Sequence, residues 1–131
     1  MEKKLQDKLF EKYPNLFRQK DMPPQETAMC WGVACGDGWY DIIDNTCSLI
    51  QSWAEHKQLS VEFTQVKEKY ATLRIYHTSK DDYVMGVIRM AEKMSSVTCE
   101  KCGNKGELVK KGWLHTLCNR CSVTLFSREI P

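Results

Sequence analysis

Two Cys-x-x-Cys pairs, Cys99/Cys102 and Cys118/Cys121, constrain the fold of this chain more than any other feature. Fifteen residues separate the pairs, which is within the spacing typical of structural zinc sites. Four thiolates complete a closed tetrahedral shell with no position for water or substrate, so we predict one structural Zn²⁺ per chain. The alternatives, four unrelated buried cysteines or a redox pair, do not explain why the same gap occurs twice.

The sequence between and after the pairs predicts the form of a zinc lobe over residues 98–131. Gly103 follows the first pair and can take the positive φ of a tight knuckle. A hairpin turning at residues 110–112 and a helical turn from Cys118 onward resemble a treble clef, with a simple ribbon as the alternative. Five basic residues surround the site, where they either contact an anion or balance the thiolate charge: Lys101, Lys105, Lys110, Lys111 and Arg120.

Residues 1–97 predict an α+β body in which amphipathic helices pack on a small antiparallel sheet. Apolar side chains recur at helical spacing over residues 2–13, 39–56 and 80–96. Asp37 is the expected N-cap of the second of these helices. Before the third, Ser79-Lys80-Asp81-Asp82 resembles a capping box.

Alternation of apolar and polar residues predicts the strands. It occurs at residues 61–64 and again at 73–76, which indicates an antiparallel hairpin turning near 69–72. Residues 29–35 are compatible with either a short buried strand or a loop. The body and the zinc lobe follow each other without a linker, so we expect one compact unit.

Composition indicates an ordinary globular protein of the cytoplasm. Of the 131 residues, 27% are charged and 42% hydrophobic, and no apolar run approaches the length of about 20 residues that spans a bilayer. The first residues, Met1-Glu2-Lys3-Lys4-Leu5, do not predict a secretory signal. Seven cysteines, an odd number with four in metal spacing, favour a reducing compartment over a disulfide framework.

Charge is unevenly distributed along the chain. The formal net charge of +2 falls to about zero once a zinc tetrathiolate is counted, which disfavours a strongly basic nucleic-acid binder. The segment 21–55, however, contains six acidic residues and no Lys or Arg. It is either a solvated acidic face or a surface for a basic partner.

The segment Gly36-Asp37-Gly38-Trp39 allows two interpretations. Two glycines before a helix expose backbone N–H groups, the arrangement that accepts anions. Alternatively, Asp37 caps those same donors and repels phosphate. Trp39 is then either a core anchor or an aromatic wall for a planar ligand.

A second candidate surface is the basic cluster on the predicted hairpin. Lys67, Lys69, Arg74 and His77 lie there with Tyr70 and Tyr76 among them. Alternation places Arg74 and Tyr76 on one face, where they either stack bases and neutralise phosphate or form the solvent face of a half-buried sheet.

The other reactive side chains predict no catalysis. Cys30, Cys35 and Cys47 fit buried free thiols better than a second metal site. The three histidines lie in three different elements, and no nucleophile elbow, H-E-x-x-H, Walker loop or zinc-deaminase motif occurs. We therefore expect a protein that is not an enzyme.

Six segments carry a resemblance to other proteins: Gly36-Asp37-Gly38-Trp39 with Ile42-Ile43, 65–70, 73–76, 91–92, 98–103 and 113–118. Together they resemble a family of short uncharacterised proteins common in bacteriophage and prophage genomes. The resemblance covers roughly residues 30–121, but this chain has Ala71-Thr72 where relatives often carry glycine. It implies a phage accessory protein acting in the host cytoplasm, and it supplies no catalytic residues.

The leading hypothesis is a non-enzymatic zinc protein that binds an anionic ligand, a nucleotide-derived signal or nucleic acid, and sequesters it against host defence. One alternative is an adaptor or inhibitor that uses segment 21–55 against a host protein, and another is an unrecognised nucleotide hydrolase. The expected ligand-binding residues are Gly36, Gly38, Trp39, Lys67, Lys69, Arg74 and Tyr76.

Overall fold

Apolar residues at helical spacing form three helices in the body of the computed structural model, which describes residues 1–127. Helix α1 spans Lys3–Lys12, α2 spans Tyr40–Lys57 and α3 spans Asp82–Ser95. Short 3₁₀ turns at Arg18–Asp21, Met29–Trp31 and Asp37–Trp39 lie between α1 and α2. The three predicted helices are confirmed. Residues 128–131, part of the predicted zinc lobe, lie outside the described residues.

The helix caps differ from those predicted. Asp37 does not cap α2, because its carboxylate accepts a hydrogen bond from the Glu2 N–H at 2.8 Å and α2 begins without a side-chain cap. Asp81 caps α3 by accepting from the Val84 N–H at 3.0 Å, and Ser79 Oγ accepts from the Asp81 N–H. The cap of α3 is therefore two residues later than a capping box starting at Ser79 would place it.

Three strands form the sheet of the body, in the order β1-β2-β3. Strand β1 is Val33–Ala34, β2 is Phe63–Lys69 and β3 is Thr72–His77. The β2–β3 hairpin is antiparallel as predicted, but β1 pairs with β2 in parallel. The α+β class is confirmed, and the sheet is mixed rather than purely antiparallel.

The hairpin turn between β2 and β3 is built without glycine. Tyr70 and Ala71 have φ of 51° and 67°, the positive values found in two-residue type I′ turns. Left-handed backbone costs a residue with a side chain about 1–2 kcal/mol. Ala71 is nevertheless buried, which indicates that its surroundings hold the turn in place.

One face of the hairpin and the inner faces of the helices form the core. Phe63 and Val66 of β2 and Leu73 and Ile75 of β3 are buried there. Phe17 meets Phe63 edge to face, with ring centroids 5.3 Å apart. Among the helix residues in the same cluster are Leu9, Ile43, Cys47, Ile50, Val84, Ile88 and Ala91.

Side chains from the helices bind the outer edges of this sheet. On β3, the N–H groups of Leu73 and Ile75 donate to Ser95 Oγ and Glu92 Oε2 of α3, at 2.8 and 3.1 Å. On β1, the Val33 N–H donates to Gln6 Oε1 of α1 at 2.7 Å.

The residues from 98 to 127, here called the tetracysteine lobe, contain a second hairpin and a helix. Strand β4 is Glu107–Lys111, β5 is Trp113–Leu117 and α4 is Asn119–Ser127. Gly103 adopts the positive φ predicted for the knuckle, 83°, and Gly112 has φ of 67° at the predicted hairpin turn. Knuckle, hairpin and helix follow in the order of a treble clef. None of the helices within residues 1–127 has the length and apolar character needed to cross a membrane.

Candidate functional site

The four cysteines of the two pairs converge at one point. The sulfur atoms of Cys99, Cys102, Cys118 and Cys121 all lie within 4.8 Å of one another, and those of Cys102 and Cys118 are 3.6 Å apart. In a tetrahedral shell with Zn–S bonds of about 2.3 Å, neighbouring sulfurs are about 3.8 Å apart. The arrangement therefore fits a single metal ion with four thiolate ligands. It is the only such cluster among the described residues.

Local backbone geometry prepares Cys99 for metal binding. Burial by itself would raise the pKa of its thiol, but nearby backbone N–H groups of Cys118, Cys102 and Lys101 donate to the sulfur and lower the pKa to about 7. Thiolates rather than thiols bind metals. The lowered pKa favours the thiolate at Cys99, whereas burial and the neighbouring cysteine side chains raise the pKa of Cys121 to about 12.

The start of α2 is docked directly onto the knuckle of the tetracysteine lobe. The Gly38 N–H donates to the Glu100 carbonyl oxygen at 2.7 Å, and the Gly36 N–H donates to the Glu100 carboxylate at 2.8 Å. A Cβ added at Gly38 would overlap the Cys99 carbonyl oxygen and lie 2.6 Å from the Gly103 nitrogen. The glycines therefore allow close approach between two segments of the same chain.

The segment Gly36-Asp37-Gly38-Trp39 thus does receive an anion, as its sequence suggested, but the anion is the side chain of Glu100. Burial raises the pKa of Glu100, and the hydrogen bond from Gly36 opposes that rise. Trp39 is fully buried, and its Nε1–H donates to the Thr98 carbonyl oxygen at 2.8 Å. Gly36, Gly38 and Trp39 therefore join the body to the lobe rather than line an open surface.

A second connection joins the two hairpins. The buried Thr116 hydroxyl of β5 donates to the Ala71 carbonyl oxygen at 2.6 Å. This bond engages the β2–β3 turn at Ala71, which is buried. The tip of the body hairpin is consequently fixed against the lobe hairpin.

Three of the four predicted basic residues of the body hairpin, Lys67, Lys69 and Arg74, share its outer face. His77 instead follows Leu73 and Ile75 on the inner side of β3, opposite Phe63. Lys67 pairs directly with Arg74 across the strands, and Tyr76 lies at the next outward position of β3. The Lys67 ammonium is 5.9 Å from the centre of the Tyr76 ring. Neither Lys67 nor Arg74 forms an ion pair within the described residues. The buried Arg74 Nε also has no hydrogen-bond partner there.

A cleft of about 560 Å³ separates the tips of the two hairpins. Lys67 and Lys69 line it from the body, and Lys110 and Trp113 line it from the lobe. Glu68, Tyr70, Gly112 and Leu114 make up the rest of the lining. The side chains of Tyr70 and Trp113 are each 70% exposed. We call this the inter-hairpin cleft.

The sequence predicts a ligand site at only some of the residues that line this cleft. The sequence predicts Lys67 and Lys69 at a ligand site and Lys110 near the metal, but it predicts no binding role for Trp113. Arg74 and Tyr76 lie on the adjoining sheet face but do not line the cleft. The available signal was Trp113 itself, a large aromatic residue beside the basic turn Lys110-Lys111-Gly112.

Comparison of the chain with protein-family models, with curated proteins and with solved structures finds no match.

Proposed function

We propose that this protein is a non-enzymatic zinc protein that binds an anionic ligand with a planar base in the inter-hairpin cleft. The ligand class is a nucleotide or a short single-stranded nucleic acid, which share phosphate and base chemistry. The observation that carries the proposal is the convergence of three lysines and two exposed aromatic rings from separate hairpins on one cleft.

Unbalanced positive charge supports an anionic ligand. Like charges directly opposite on neighbouring strands destabilise a sheet, yet Lys67 faces Arg74 without a carboxylate partner among the described residues. Lys69 and Lys110 add positive charge around the same opening. Glu68 is the one acidic residue of the lining. The Glu68 carboxylate already accepts from the Ala71 N–H at 2.8 Å. A bound phosphate would offset this repulsion.

The exposed rings of Tyr70 and Trp113 support recognition of a base. Stacking of a base on an aromatic side chain contributes roughly 1–3 kcal/mol and tolerates different bases. The cleft volume of about 560 Å³ is within the range of about 300–1,000 Å³ common for small-molecule sites. One nucleotide, or one or two residues of a strand, fits this space.

The metal contributes by holding one wall of the cleft. An all-cysteine tetrahedral set is typical of zinc, with iron as the other candidate. Because the shell is closed, the ion would stabilise the lobe that carries Lys110 and Trp113 rather than act on the ligand. Resemblance to phage and prophage proteins supports a role in the host cytoplasm, where sequestering the ligand would counter host defence.

A titration with defined ligands tests the proposal. The panel consists of AMP, ATP, cyclic dinucleotides, ADP-ribose, a dT15 oligonucleotide and inorganic phosphate, read by Trp fluorescence and melting temperature. A true ligand raises the melting temperature by mass action as its concentration exceeds Kd. Trp113→Ala and Lys67→Ala should each weaken binding at least about fivefold, consistent with loss of about 1 kcal/mol of stacking or charge. Salt dependence distinguishes a nucleotide from a single-stranded nucleic acid, because binding of a strand weakens steeply with added salt.

Trp31→Ala is the matched control, because Trp31 is 71% exposed but lies outside the inter-hairpin cleft. The proposal would be refuted if Trp113→Ala and wild type bound the ligand with equal affinity, or if no member of the panel bound. Recovery of the ligand by chromatography after incubation decides between binding and hydrolysis. Consumption of the nucleotide would favour the hydrolase alternative.

A further inference from the structure

An apolar groove lies between α2 and α3, on residues that the proposed function does not use. Its volume is about 560 Å³. Its lining includes Ile42 and Leu49 of α2 and Tyr83, Val87, Met90 and Met94 of α3. The groove follows α2 from Asp41 to Leu49, a length of about 12 Å or two helical turns.

The walls of this groove expose large apolar side chains to solvent. Met90 is 63% exposed, and Leu49, Met94 and Tyr83 are also exposed. Single exposed apolar residues are common, but a contiguous set around one depression is typical of an interaction site. Methionine side chains are flexible and polarisable, and they adapt to apolar partners of different shape.

Gly86 gives the groove part of its depth at the expense of helix stability. It lies in the middle of α3, where glycine is less favourable than alanine by about 1 kcal/mol. A Cβ added at Gly86 would meet no atom within 4 Å, so packing within the described residues does not require a glycine there. The missing side chain leaves room for an external one.

Charge around the groove selects the chemistry of the occupant. Asp41 lies at one end and Asp82 at the other, and neither Lys nor Arg lines the groove. Arg89 and Lys93 line a separate depression on the other side of Gly86 and Met90, together with Glu92. Segment 21–55, which supplies the α2 wall, has no basic residue at all. An anionic ligand of the kind proposed for the inter-hairpin cleft would be repelled, whereas an apolar segment flanked by cations would be attracted.

We propose that the α2–α3 groove binds an amphipathic helix of a partner protein, with Leu, Met or Phe on its apolar face and Lys or Arg beside them. Two turns of groove match the i, i+3 and i+7 anchors by which helices dock into such surfaces. The aspartates at the two ends contribute specificity and association rate more than affinity. This site is independent of the inter-hairpin cleft, so the protein carries two binding surfaces of opposite charge preference.

Fluorescence anisotropy with two synthetic probes tests the groove. One probe is a labelled 15-residue helical peptide of Leu and Lys, and the other has Glu at every Lys position. The Lys peptide should bind one-to-one with saturation, and the Glu peptide should bind at least about tenfold more weakly. Equal binding of both peptides, or a lack of saturation, would overturn the proposal.

Variants that keep the fold locate the binding. Gly86→Leu fills the groove on a helix that it should not destabilise, and it should weaken the Lys peptide at least about tenfold. Met90→Lys should do the same, whereas Met85→Lys serves as the control because Met85 is exposed but outside the lining. Binding that survives Gly86→Leu and Met90→Lys would place the peptide elsewhere. A wild-type dimer in light scattering that Met90→Lys makes monomeric would instead identify a second copy as the occupant.

Discussion

The N–H group of Gly38 donates to the carbonyl oxygen of Glu100 at 2.7 Å, which joins the start of α2 to the backbone between Cys99 and Cys102. Body and lobe are thus held together by main-chain atoms as well as by side chains. Substitutions on either side of this contact should therefore change the stability of both the body and the tetracysteine lobe.

Gly38→Ala should destabilise the protein by about 1–3 kcal/mol, the usual range for overpacking. The added Cβ would meet backbone atoms of Cys99 and Gly103, which cannot rotate away as a flexible side chain does. Urea denaturation followed by circular dichroism measures the change. Gly86→Ala is the control, since its Cβ meets no neighbour and should stabilise α3 by roughly 0.5–1 kcal/mol. Equal effects of the two substitutions would contradict the docking contact.

Cys118→Ser should release the metal and unfold at least the tetracysteine lobe, because metal binding and folding are coupled in such sites. Elemental analysis of the wild type should give about one zinc per chain. The variant should contain little zinc and should melt earlier. Cys30→Ser, which changes a free cysteine outside the cluster, should keep the metal. A Cys118→Ser protein with full zinc content and unchanged melting would refute the site, and iron in the wild type would refute the metal assignment.

Glu100→Ala and Glu100→Gln should differ in stability. Alanine leaves the Gly36 N–H without its acceptor at the junction, and a buried donor that loses its partner costs about 1–3 kcal/mol. Glutamine retains an oxygen that can accept the same bond and should restore most of the loss. Equal destabilisation by the two substitutions, measured in urea, would show that this hydrogen bond contributes little.

Asp44→Asn should destabilise the protein at neutral pH and matter less in acid. The Asp44 carboxylate joins α2 to α1 by accepting from Lys12 Nζ and Tyr13 Oη, each at 2.6 Å. Burial alone would raise the pKa of Asp44, but these two bonds lower it below the ordinary value of 3.8. A lowered pKa means that the ionised form contributes stability above the unfolded value, and that this contribution is lost as pH falls through the folded one.

The free energy of unfolding should be about 1–2 kcal/mol higher for wild type than for Asp44→Asn at pH 7, and this difference should shrink below pH 3.8. Denaturation with urea at several pH values gives the profile. Asp7→Asn is the comparison, because the Lys3–Asp7 pair is exposed and should contribute less than about 1 kcal/mol. A difference independent of pH would argue against the charged bond.

Local patterns were sufficient to predict much of this structure. The repeated gap of the cysteine pairs predicted that Cys99, Cys102, Cys118 and Cys121 meet, because two intervening residues already turn both sulfurs to one side. Helical and alternating periodicities likewise indicated α1 to α3 and the β2–β3 hairpin, since each element buries one face.

Contacts between distant segments were not predictable in the same way. Strand β1 has two residues, too few for periodicity to distinguish a parallel strand from a loop. The glycines at 36 and 38 indicated an anion, but no local pattern shows that Glu100 supplies it. Trp113 and Lys67 share a cleft between two hairpins that are joined by contacts between distant residues, among them the Thr116–Ala71 hydrogen bond. The donor to the Asp37 carboxylate, the Glu2 N–H, is likewise 35 positions away.

The side chains that bind the margins of the body sheet have a consequence for behaviour at high concentration. A free strand margin recruits further strands and seeds fibrils. Here, the donors of Leu73, Ile75 and Val33 are already engaged by Ser95, Glu92 and Gln6. Another chain could therefore add a strand to this sheet only after a helix detached from it. Concentrated solutions of the folded protein should accordingly resist cross-β assembly through this sheet.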